Sequence, residues 1–278
     1  MYHLGLIAKD IQNSVSPTVY KHLFASVGEE ATYEIRNVPE DALAETVEYA
    51  RNHWVGFNVT MPYKQAILPY MDRIDESARE CGSTNTVLVK DGKLIAYNTD
   101  GWGCIRALEK EGFDWAGKKV VMLGAGGVAF SIAYNMSIHG VERVEVVNLI
   151  PEQTERLCRK FGDRFRAHPL DYEVLNRVCR DADLFLNASV MGQIGYDEFA
   201  SFAFLDELKS DAFVFDVNYS NPDSKLVPTA REKGHRAFIG SRMTAWQAAR
   251  VMEIWADKVP ADAAMEELLE MLTKGVRL

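Results

Sequence analysis

The stretch that decides the fold is Lys119-Val-Val-Met-Leu-Gly-Ala-Gly-Gly-Val-Ala129. Its apolar first half predicts a buried strand, and the run after the glycines is compatible with a helix, so the pattern indicates strand, tight turn and helix. The spacing Gly124-x-Gly126-x-x-Ala129 fits the dinucleotide fingerprint, whose third small residue is glycine or alanine. Gly124 permits the turn, Gly126 lets a pyrophosphate approach the backbone, and Ala129 allows the helix to pack closely on its strand.

A glycine-rich turn that binds nothing is the alternative interpretation of this motif. The strand before it and the helix after it favour a ligand, because the helix N-terminus offers free N–H groups and a partial positive charge to phosphates. We therefore expect a dinucleotide to bind here.

Composition limits the classes of function. The chain has 278 residues, of which 47% are hydrophobic, and this is enough for a sizeable core in one large domain or two ordinary ones. A net charge of -9 argues against a nucleic-acid partner, whose binding surface would be basic. No apolar run approaches the roughly 18 residues of a membrane span, and the first apolar run is too short for a signal peptide. We expect a cytoplasmic protein, monomeric or homodimeric, with a small-molecule ligand and no membrane partner.

The cysteines give no sign of a metal site or of a disulfide framework. None of the four stands in a C-x-x-C pair, and no histidine spacing joins them; they are Cys81, Cys104, Cys158 and Cys179. We expect no bound metal.

After the fingerprint, strand and helix patterns alternate. Apolar strands are predicted over Arg143–Asn148, Ala182–Asn187, Phe213–Val217 and Ala237–Gly240, with helices at Glu152–Phe161 and Leu226–Lys233. This alternation is typical of a parallel sheet covered on both faces, with ligands at the carboxyl ends of the strands. From Met243 to Leu272 the pattern is helical and is broken only near Pro260.

Before the fingerprint, a smaller mixed pattern is predicted. Tyr2–Ala8 and Ala31–Val38 indicate strands, and Ala42–Ala50 indicates a helix. Lys90-Asp-Gly-Lys93 joins two apolar runs and predicts a hairpin turn. The fold class is therefore α/β, in two domains, with a doubly wound dinucleotide-binding domain following an N-terminal α/β domain.

Polar residues in this first part are candidates for a site, but each has an ordinary alternative. Ser14 and Ser16 could hold a carboxylate, yet a turn and a helix cap, with Ser16 as N-cap, explain them at least as well. Lys64 is predicted in the first turn of a helix opened by Pro62, where its charge opposes the helix dipole. Asn85 and Asp100 stand at matching ends of the predicted hairpin, where a turn residue and a helix cap are the alternatives.

The end of the second strand after the fingerprint bears on the type of dinucleotide. An acidic residue there would bind the ribose 2′-OH of NAD, and an arginine would favour the 2′-phosphate of NADP. The sequence has neither, only Asn148 followed by Leu149 and Ile150. An asparagine can still form a hydrogen bond with the 2′-OH.

Taken together, these stretches resemble the shikimate dehydrogenase family. The segments that carry the resemblance, in the family's order and across nearly the whole chain, are Ser14-x-Ser16-Pro17, Asn58-Val59-Thr60-x-Pro62-x-Lys64, Asn85-Thr86, Asn98-Thr99-Asp100-Gly101, the Gly124 fingerprint, Asn187-Ala188-Ser189, Asp216-x-x-Tyr219 and Gly240-x-x-Met243-x-x-x-Gln247. Each segment alone is weakly specific, whereas the ordered set is highly specific.

The resemblance implies a two-domain oxidoreductase. Residues 1–101, completed by C-terminal helices at 241–278, would bind a cyclic hydroxy acid, and residues 102–240 would form a Rossmann domain for NAD or NADP. Lys64 and Asp100 would be the catalytic pair. The implied substrate-binding residues are Ser14, Ser16, Thr60, Lys64, Asn85, Asp100, Tyr219 and Gln247. The implied cofactor-binding residues are Gly124, Ala125, Gly126, Gly127, Val128, Ala129, Asn148, Leu149, Asn187, Val217, Gly240 and Met243.

The chain departs from the family pattern at the ribose. NADP users in the family usually have Asn-Arg-Thr where this chain has Asn148-Leu149-Ile150, and a second basic residue expected near Gln153 is also missing. We therefore expect NAD to compete well with NADP and even to be preferred. The Ser14-x-Ser16 pair resembles members that prefer shikimate. Quinate or another cyclic hydroxy acid is the alternative substrate, and a dinucleotide-sensing protein without turnover is a remote alternative.

Overall fold

The structure is a computed structural model that describes residues 1–11 and 14–273. The chain forms two compact units. One comprises Met1–Gly103 together with Thr244–Leu278, and the other comprises Cys104–Met243. No helix within the described ranges is both long enough and apolar enough to cross a membrane.

The first unit contains a six-stranded mixed sheet. Its strands are β1 (Tyr2–Ala8), β2 (Ala31–Asn37), β3 (Gly56–Val59), β4 (Arg73–Ile74), β5 (Thr86–Lys90) and β6 (Lys93–Tyr97), in the order β2-β1-β3-β5-β6-β4. β1 is parallel to β2 and β3, whereas β5 is antiparallel to β3 and β6. The predicted hairpin is confirmed, because Asp91 and Gly92 both have the positive φ angles that a tight two-residue turn requires.

Within the described residues, α-helices belong wholly or partly to this unit at both ends of the chain. They are α1 (Ser16–Ser26), α2 (Leu43–His53), α3 (Tyr63–Ala66), α4 (Glu76–Cys81), the start of α5 (Asp100–Lys110), most of α10 (Ser241–Ala256) and α11 (Asp262–Thr273). α10 packs on the sheet at Gly56, where a Cβ atom would lie only 2.3 Å from the indole nitrogen of Trp255. That nitrogen donates a hydrogen bond of 2.9 Å to the carbonyl of Val87 in β5. A glycine in β3 thus makes room for the helix that follows the second unit in the chain.

The N-cap residue predicted for α1 is wrong by one residue. Ser16 is the first residue of the helix, and Val15 occupies the cap position without a side-chain hydrogen bond. The backbone N–H of Ser16 instead donates to the hydroxyl of Ser14 at 3.2 Å. The Ser14 hydroxyl therefore accepts a hydrogen bond from one of the free N–H groups at the N-terminus of α1.

The second unit is a parallel sheet of six strands. They are β7 (Lys119–Leu123), β8 (Arg143–Asn148), β9 (Phe165–Pro169), β10 (Leu184–Asn187), β11 (Phe213–Asp216) and β12 (Arg236–Ile239), in the order β12-β11-β10-β7-β8-β9. The helices are α6 (Gly127–Ile138), α7 (Pro151–Phe161), α8 (Tyr172–Cys179) and α9 (Leu226–Glu232). The chain order reverses direction between β7 and β10, and this switch point is where a doubly wound sheet binds its ligand. The predicted fold class is confirmed.

Among the strands and α-helices, sequence patterns did not predict β4, α4, β9 and α8. β9 is an edge strand in which only Phe165 is buried, so it lacks the apolar run that identified the other strands. α8 has a signal that could have found it: Asp171 caps the helix by accepting hydrogen bonds from the N–H groups of Glu173 and Val174. The remaining predicted elements are present, with ends shifted by a few residues.

Candidate active site

Lys64 and Asp100 form an ion pair inside the first unit. The Lys64 Nζ atom lies 2.7 Å from Asp100 Oδ2, and the side chains keep 25% and 12% of their exposure. α3, which carries Lys64, is only four residues long, so the opposition to a helix dipole expected from the sequence has little physical meaning here. A partly exposed lysine held by a nearly buried carboxylate can exchange a proton with a small molecule that reaches it.

The structure also decides what Asp100 does at the start of α5. The backbone N–H of Asp100 donates to Oδ1 of Asn98 at 3.2 Å, and Asn98 in turn donates to the carbonyl of Ser83 at 3.0 Å. Asn98 therefore supports the helix start, and the Asp100 carboxylate is directed to Lys64. Helix capping does not account for the aspartate.

Asn85 is the centre of a buried hydrogen-bond network around this pair. Its Nδ2 atom lies 2.7 Å from Asp100 Oδ1, 3.0 Å from Thr99 Oγ1 and 3.2 Å from Gln247 Oε1. Its Oδ1 atom accepts from the N–H of Thr99 and the hydroxyl of Thr86, each at 2.9 Å. Because both ends of the amide are engaged, Asn85 fixes the orientation of the carboxylate that holds Lys64. Four predicted site residues are thus brought together: Lys64, Asn85, Asp100 and Gln247.

Asn58 and Tyr33 extend this network, and the sequence analysis did not assign them a role. The Tyr33 hydroxyl donates to Asn58 Oδ1 at 2.9 Å, and Asn58 Nδ2 donates to the carbonyl of Asn85 at 3.1 Å. Tyr20 stacks on Tyr33 with ring centroids 5.2 Å apart, and burial raises the pKa of both phenols. A signal existed for Asn58, an amide in an otherwise apolar strand; Tyr33 had none, because a tyrosine is ordinary in a strand.

Ser14, Ser16 and Thr60 also lie in the first unit, and Ser16 reaches the edge of the network, because its hydrogen bond with the Tyr33 phenol opposes the rise of that pKa by burial. The Ser14 hydroxyl donates to the Ser16 hydroxyl at 3.1 Å, which makes a pair of adjacent hydroxyls before and at the start of α1. The N–H of Thr60 donates to the carbonyl of Ile7 at 3.1 Å, so its backbone continues the sheet. Their predicted contacts with a substrate stay predictions.

In the second unit, the geometry explains the glycines of the fingerprint. Gly124 has φ +108°, and a Cβ atom there would lie 2.6 Å from the carbonyl oxygen of Ala188. Gly126 is different, because nothing lies within 4 Å of the position of its missing Cβ atom. It is also the cap residue of α6 and has no side chain to occupy the N–H groups there. Open space beside unoccupied helix N–H groups fits a pyrophosphate. Ala125 and Ala129 are buried and close this turn against the sheet.

At the end of β8, Asn148 presents an acceptor. Its Nδ2 atom donates to the carbonyl of Ile150 at 3.0 Å and lies 3.2 Å from Oε1 of Gln153. With the amide nitrogen engaged, the carbonyl oxygen Oδ1 is the group that Asn148 offers to a ligand. Leu149 beside it is 74% exposed. The site thus has an acceptor for a hydroxyl and no cation on these residues for a phosphate.

The other residues predicted to contact a dinucleotide or substrate differ in their surroundings. Asn187 uses its amide within the second unit, donating to Met191 O at 3.0 Å and to Asp216. Gly240 has no room for a side chain, because its Cβ atom would overlap the carbonyl of Val217. Met243 is buried, and the Tyr219 ring in the second unit is 42% exposed.

The two units match two family models. Residues 6–87 match the shikimate dehydrogenase substrate binding domain, and residues 107–219 match shikimate / quinate 5-dehydrogenase. A sheet with a dinucleotide fingerprint at its switch point, joined to an α/β unit with a lysine–aspartate pair, defines a dinucleotide-dependent dehydrogenase.

Individual relatives are similar to this chain over nearly its whole length. A shikimate dehydrogenase (NADP(+)) of Alkaliphilus metalliredigens is 35% identical over 91% of this chain and 90% of its own length. The solved structure of shikimate 5-dehydrogenase from Listeria monocytogenes, in complex with shikimate and NAD, is 31% identical, with 98% and 96% of the chains covered and a TM-score of 0.87. The chain belongs to the shikimate dehydrogenase family. It is also similar to 5-ketofructose reductase of Gluconobacter sp. strain CHM43, with 28% identity, 98% of each chain covered and a TM-score of 0.86.

Proposed function

We propose that this protein interconverts shikimate and 3-dehydroshikimate with a nicotinamide dinucleotide, the reaction that feeds chorismate and the aromatic amino acids. The observation that carries the proposal is the Lys64–Asp100 ion pair at 2.7 Å, held by Asn85 in the unit that matches a substrate-binding domain. A protein that only sensed dinucleotides would have no use for such a pair.

The chemistry follows from the two groups. The nicotinamide ring supplies the acceptor for the hydride that leaves the alcohol carbon. Lys64 takes the proton of the same hydroxyl during oxidation and returns one to the carbonyl oxygen during reduction, and its charge stabilises the oxyanion between the two. Asp100 orients Lys64 and accepts a hydrogen bond from the same hydroxyl.

The remaining polar residues would determine which acid is bound. We assign the substrate carboxylate to Ser14 and Ser16, whose hydroxyls lie 3.1 Å apart. We assign the ring hydroxyls to Thr60, Asn85, Asp100, Tyr219 and Gln247. On this assignment residues 1–101 with 241–278 bind the acid, and residues 102–240 bind the dinucleotide.

We further propose that NAD is used well and preferred to NADP. Support comes from Asn148, which offers an oxygen to the ribose 2′-OH, and from Leu149, which offers the 2′-phosphate no charge. Leu149→Arg should raise the NADP-to-NAD ratio of kcat/KM by about tenfold or more, the worth of one charge-assisted hydrogen bond. Ile138→Arg is the matched control. Ile138 is also exposed, but it lies at the C-terminal end of α6, whereas Leu149 directly follows β8. A wild-type protein that strongly prefers NADP would contradict this assignment.

One assay separates the candidate functions. The absorbance of reduced cofactor is followed with shikimate and then with quinate, each against NAD and NADP. Turnover of shikimate above quinate supports the proposal. The opposite order would favour the second candidate, a dehydrogenase for quinate or a related cyclic hydroxy acid, a possibility kept open by the close fold match to a reductase of a different substrate. Dinucleotide binding without turnover of either acid would indicate a sensor.

A further inference from the structure

Two loops leave the carboxyl end of the parallel sheet side by side, and a buried aspartate lies between their starting points. The first loop, residues 188–198, follows β10, and the second, residues 217–225, follows β11. Asp216 is the last residue of β11, is 1% exposed and pairs in register with Asn187 at the end of β10. The carboxyl end of such a sheet is where the dinucleotide binds.

Asp216 forms hydrogen bonds with the residue that precedes the first loop and with two residues of the second loop. Its Oδ1 atom accepts from Asn187 Nδ2 at 2.9 Å and from the N–H of Asn218 at 3.1 Å. Its Oδ2 atom lies 3.5 Å from the hydroxyl of Ser224 near the end of the second loop. The carboxyl group therefore bridges the base of the first loop and two points of the second.

The two residues that Asp216 orients carry the connection further. Asn218 donates through Nδ2 to the carbonyls of Ser189 at 3.0 Å and Met191 at 3.1 Å, and Asn187 also donates to Met191 at 3.0 Å. The first loop is thus held at the carbonyls of Ser189 and Met191 by two side-chain amides. The Asn187 amide also donates to Asp216, and Asn218 donates to Asp216 through its backbone N–H. Removal of the carboxyl group would release the Asn187 side-chain amide and the backbone N–H of Asn218 at once.

The charge state of Asp216 bears on this arrangement. Burial raises the pKa of the Asp216 carboxyl to about 7; the nearby Glu198 carboxylate also raises it, and the hydrogen bonds from Asn218, Asn187 and Ser224 oppose the rise. With a pKa of about 7, the neutral acid and the carboxylate are both populated around neutral pH.

We propose that Asp216 is a positioning residue for the dinucleotide site, fixing the loops 188–198 and 217–225 in the arrangement that receives the cofactor. The inference rests on the proposed function, because it assigns the ligand of these loops as a nicotinamide dinucleotide. Asp216 itself is buried and touches no ligand. Loss of its proton adds a buried negative charge that repels the Glu198 carboxylate at the end of the first loop, and this repulsion acts against the hydrogen bonds that Asn187, Asn218 and Ser224 donate to Asp216.

The test is binding of NADH and NADPH to the full-length protein, without substrate, from pH 6 to 8.5. We expect the Kd of wild type for its preferred cofactor to rise about threefold to tenfold over this range, within the limit of one linked proton. Asp216→Asn keeps the acceptor oxygen without the charge, so its Kd should match that of wild type at pH 6 and stay constant. Asp216→Ala should weaken binding about tenfold at both ends, the effect of losing one buried hydrogen-bonding group.

Asp183→Asn is the matched control. Asp183 is a second buried carboxylate of the same sheet, but it precedes β10 at the amino end, where it pairs with Lys209 at 2.8 Å. Its removal should leave the Kd and its pH dependence unchanged.

Each result of these binding measurements either supports or overturns the role of Asp216. Wild-type affinity in Asp216→Ala, or an unchanged pH dependence in Asp216→Asn, would overturn the inference. If Asp216→Ala does not fold, the comparison of Asp216→Asn with wild type decides alone. Absence of binding of both cofactors to wild type would refute the proposed function instead, and the two failures are thereby distinguished.

Discussion

Replacement of Asp216 by asparagine is expected to stabilise the folded protein above neutral pH. The carboxyl group is 1% exposed, and its pKa is raised from 3.8 to about 7, chiefly by burial. Asparagine has the same shape and keeps the acceptor that Asn187 and Asn218 use. Its amide nitrogen would face the Ser224 hydroxyl, which can accept a hydrogen bond, so the variant keeps its partners and removes a buried charge that Glu198 disfavours.

The magnitude follows from linkage. A carboxyl group whose pKa is higher in the folded state binds its proton more tightly there, so stability falls as the pH rises from about 4 to about 7 and is constant above. A rise of about three pKa units corresponds to about 4 kcal/mol of free energy of unfolding that wild type loses across this window. The advantage of Asp216→Asn should therefore be about 4 kcal/mol at pH 8.5 and roughly 2 kcal/mol at pH 5, because only part of the window lies below pH 5.

Thermal unfolding at several pH values measures this difference. At roughly 2–4 °C per kcal/mol, the variant should melt several degrees above wild type at pH 8.5 and show a smaller gain at pH 5. Asp183→Asn is a control with the opposite sign. Lys209 and the N–H of Lys119 hold the pKa of Asp183 below its ordinary value despite burial, so that variant should be less stable at neutral pH, with a loss that shrinks in acid. An Asp216→Asn advantage that is absent, or that does not grow with pH, would refute the reasoning.

Three further substitutions test single contacts. Gly124→Ala should lower the free energy of unfolding by about 2 kcal/mol or more, measured by urea unfolding, because φ is positive and the new Cβ atom would meet Ala188. Gly126→Ala should leave stability nearly unchanged, since nothing lies within 4 Å of that Cβ position, but should weaken dinucleotide binding in a fluorescence titration; unaltered binding would remove the pyrophosphate from this turn. Tyr33→Phe removes the hydrogen bond to Asn58 and should cost about 1 kcal/mol of stability and raise the KM for shikimate, whereas an unchanged KM would confine Tyr33 to the core.

The sequence allowed the parallel sheet to be predicted because each of its inner strands is an apolar run between turn residues. The fingerprint marked the loop after β7, next to the point where the strand order reverses. The structure shows why a glycine is needed there, since a Cβ atom at Gly124 would lie 2.6 Å from the carbonyl oxygen of Ala188. The edge strand β9 lacked that signal, since only one of its side chains is buried. Edge elements depend on pairing with a neighbour, and a one-dimensional pattern does not contain that information.

In the candidate site, too, local motifs could be predicted from the sequence, whereas contacts between distant residues could not. Lys64 and Asp100 could be named because their motifs are local, but their 2.7 Å contact joins residues 36 positions apart. The roles of Asn98 and Asn85 could not be separated by sequence alone, because both look like turn residues. The structure shows that Asn98 supports the helix, whereas Asn85 orients the carboxylate. Tyr33 belongs to the site because its hydroxyl donates a hydrogen bond across the sheet to Asn58, and no spacing rule predicts this contact.

The most direct test of the account is the kcat of Lys64→Met with shikimate and saturating dinucleotide, beside the Kd of the same variant for shikimate. Methionine keeps the length and much of the packing of lysine and removes the proton-accepting group. We expect kcat to fall by about 10²-fold to 10⁴-fold, the usual contribution of a general acid–base group, while the protein stays folded and binds shikimate more weakly. An undiminished kcat with only a weaker Kd would show that Lys64 takes no part in the chemistry.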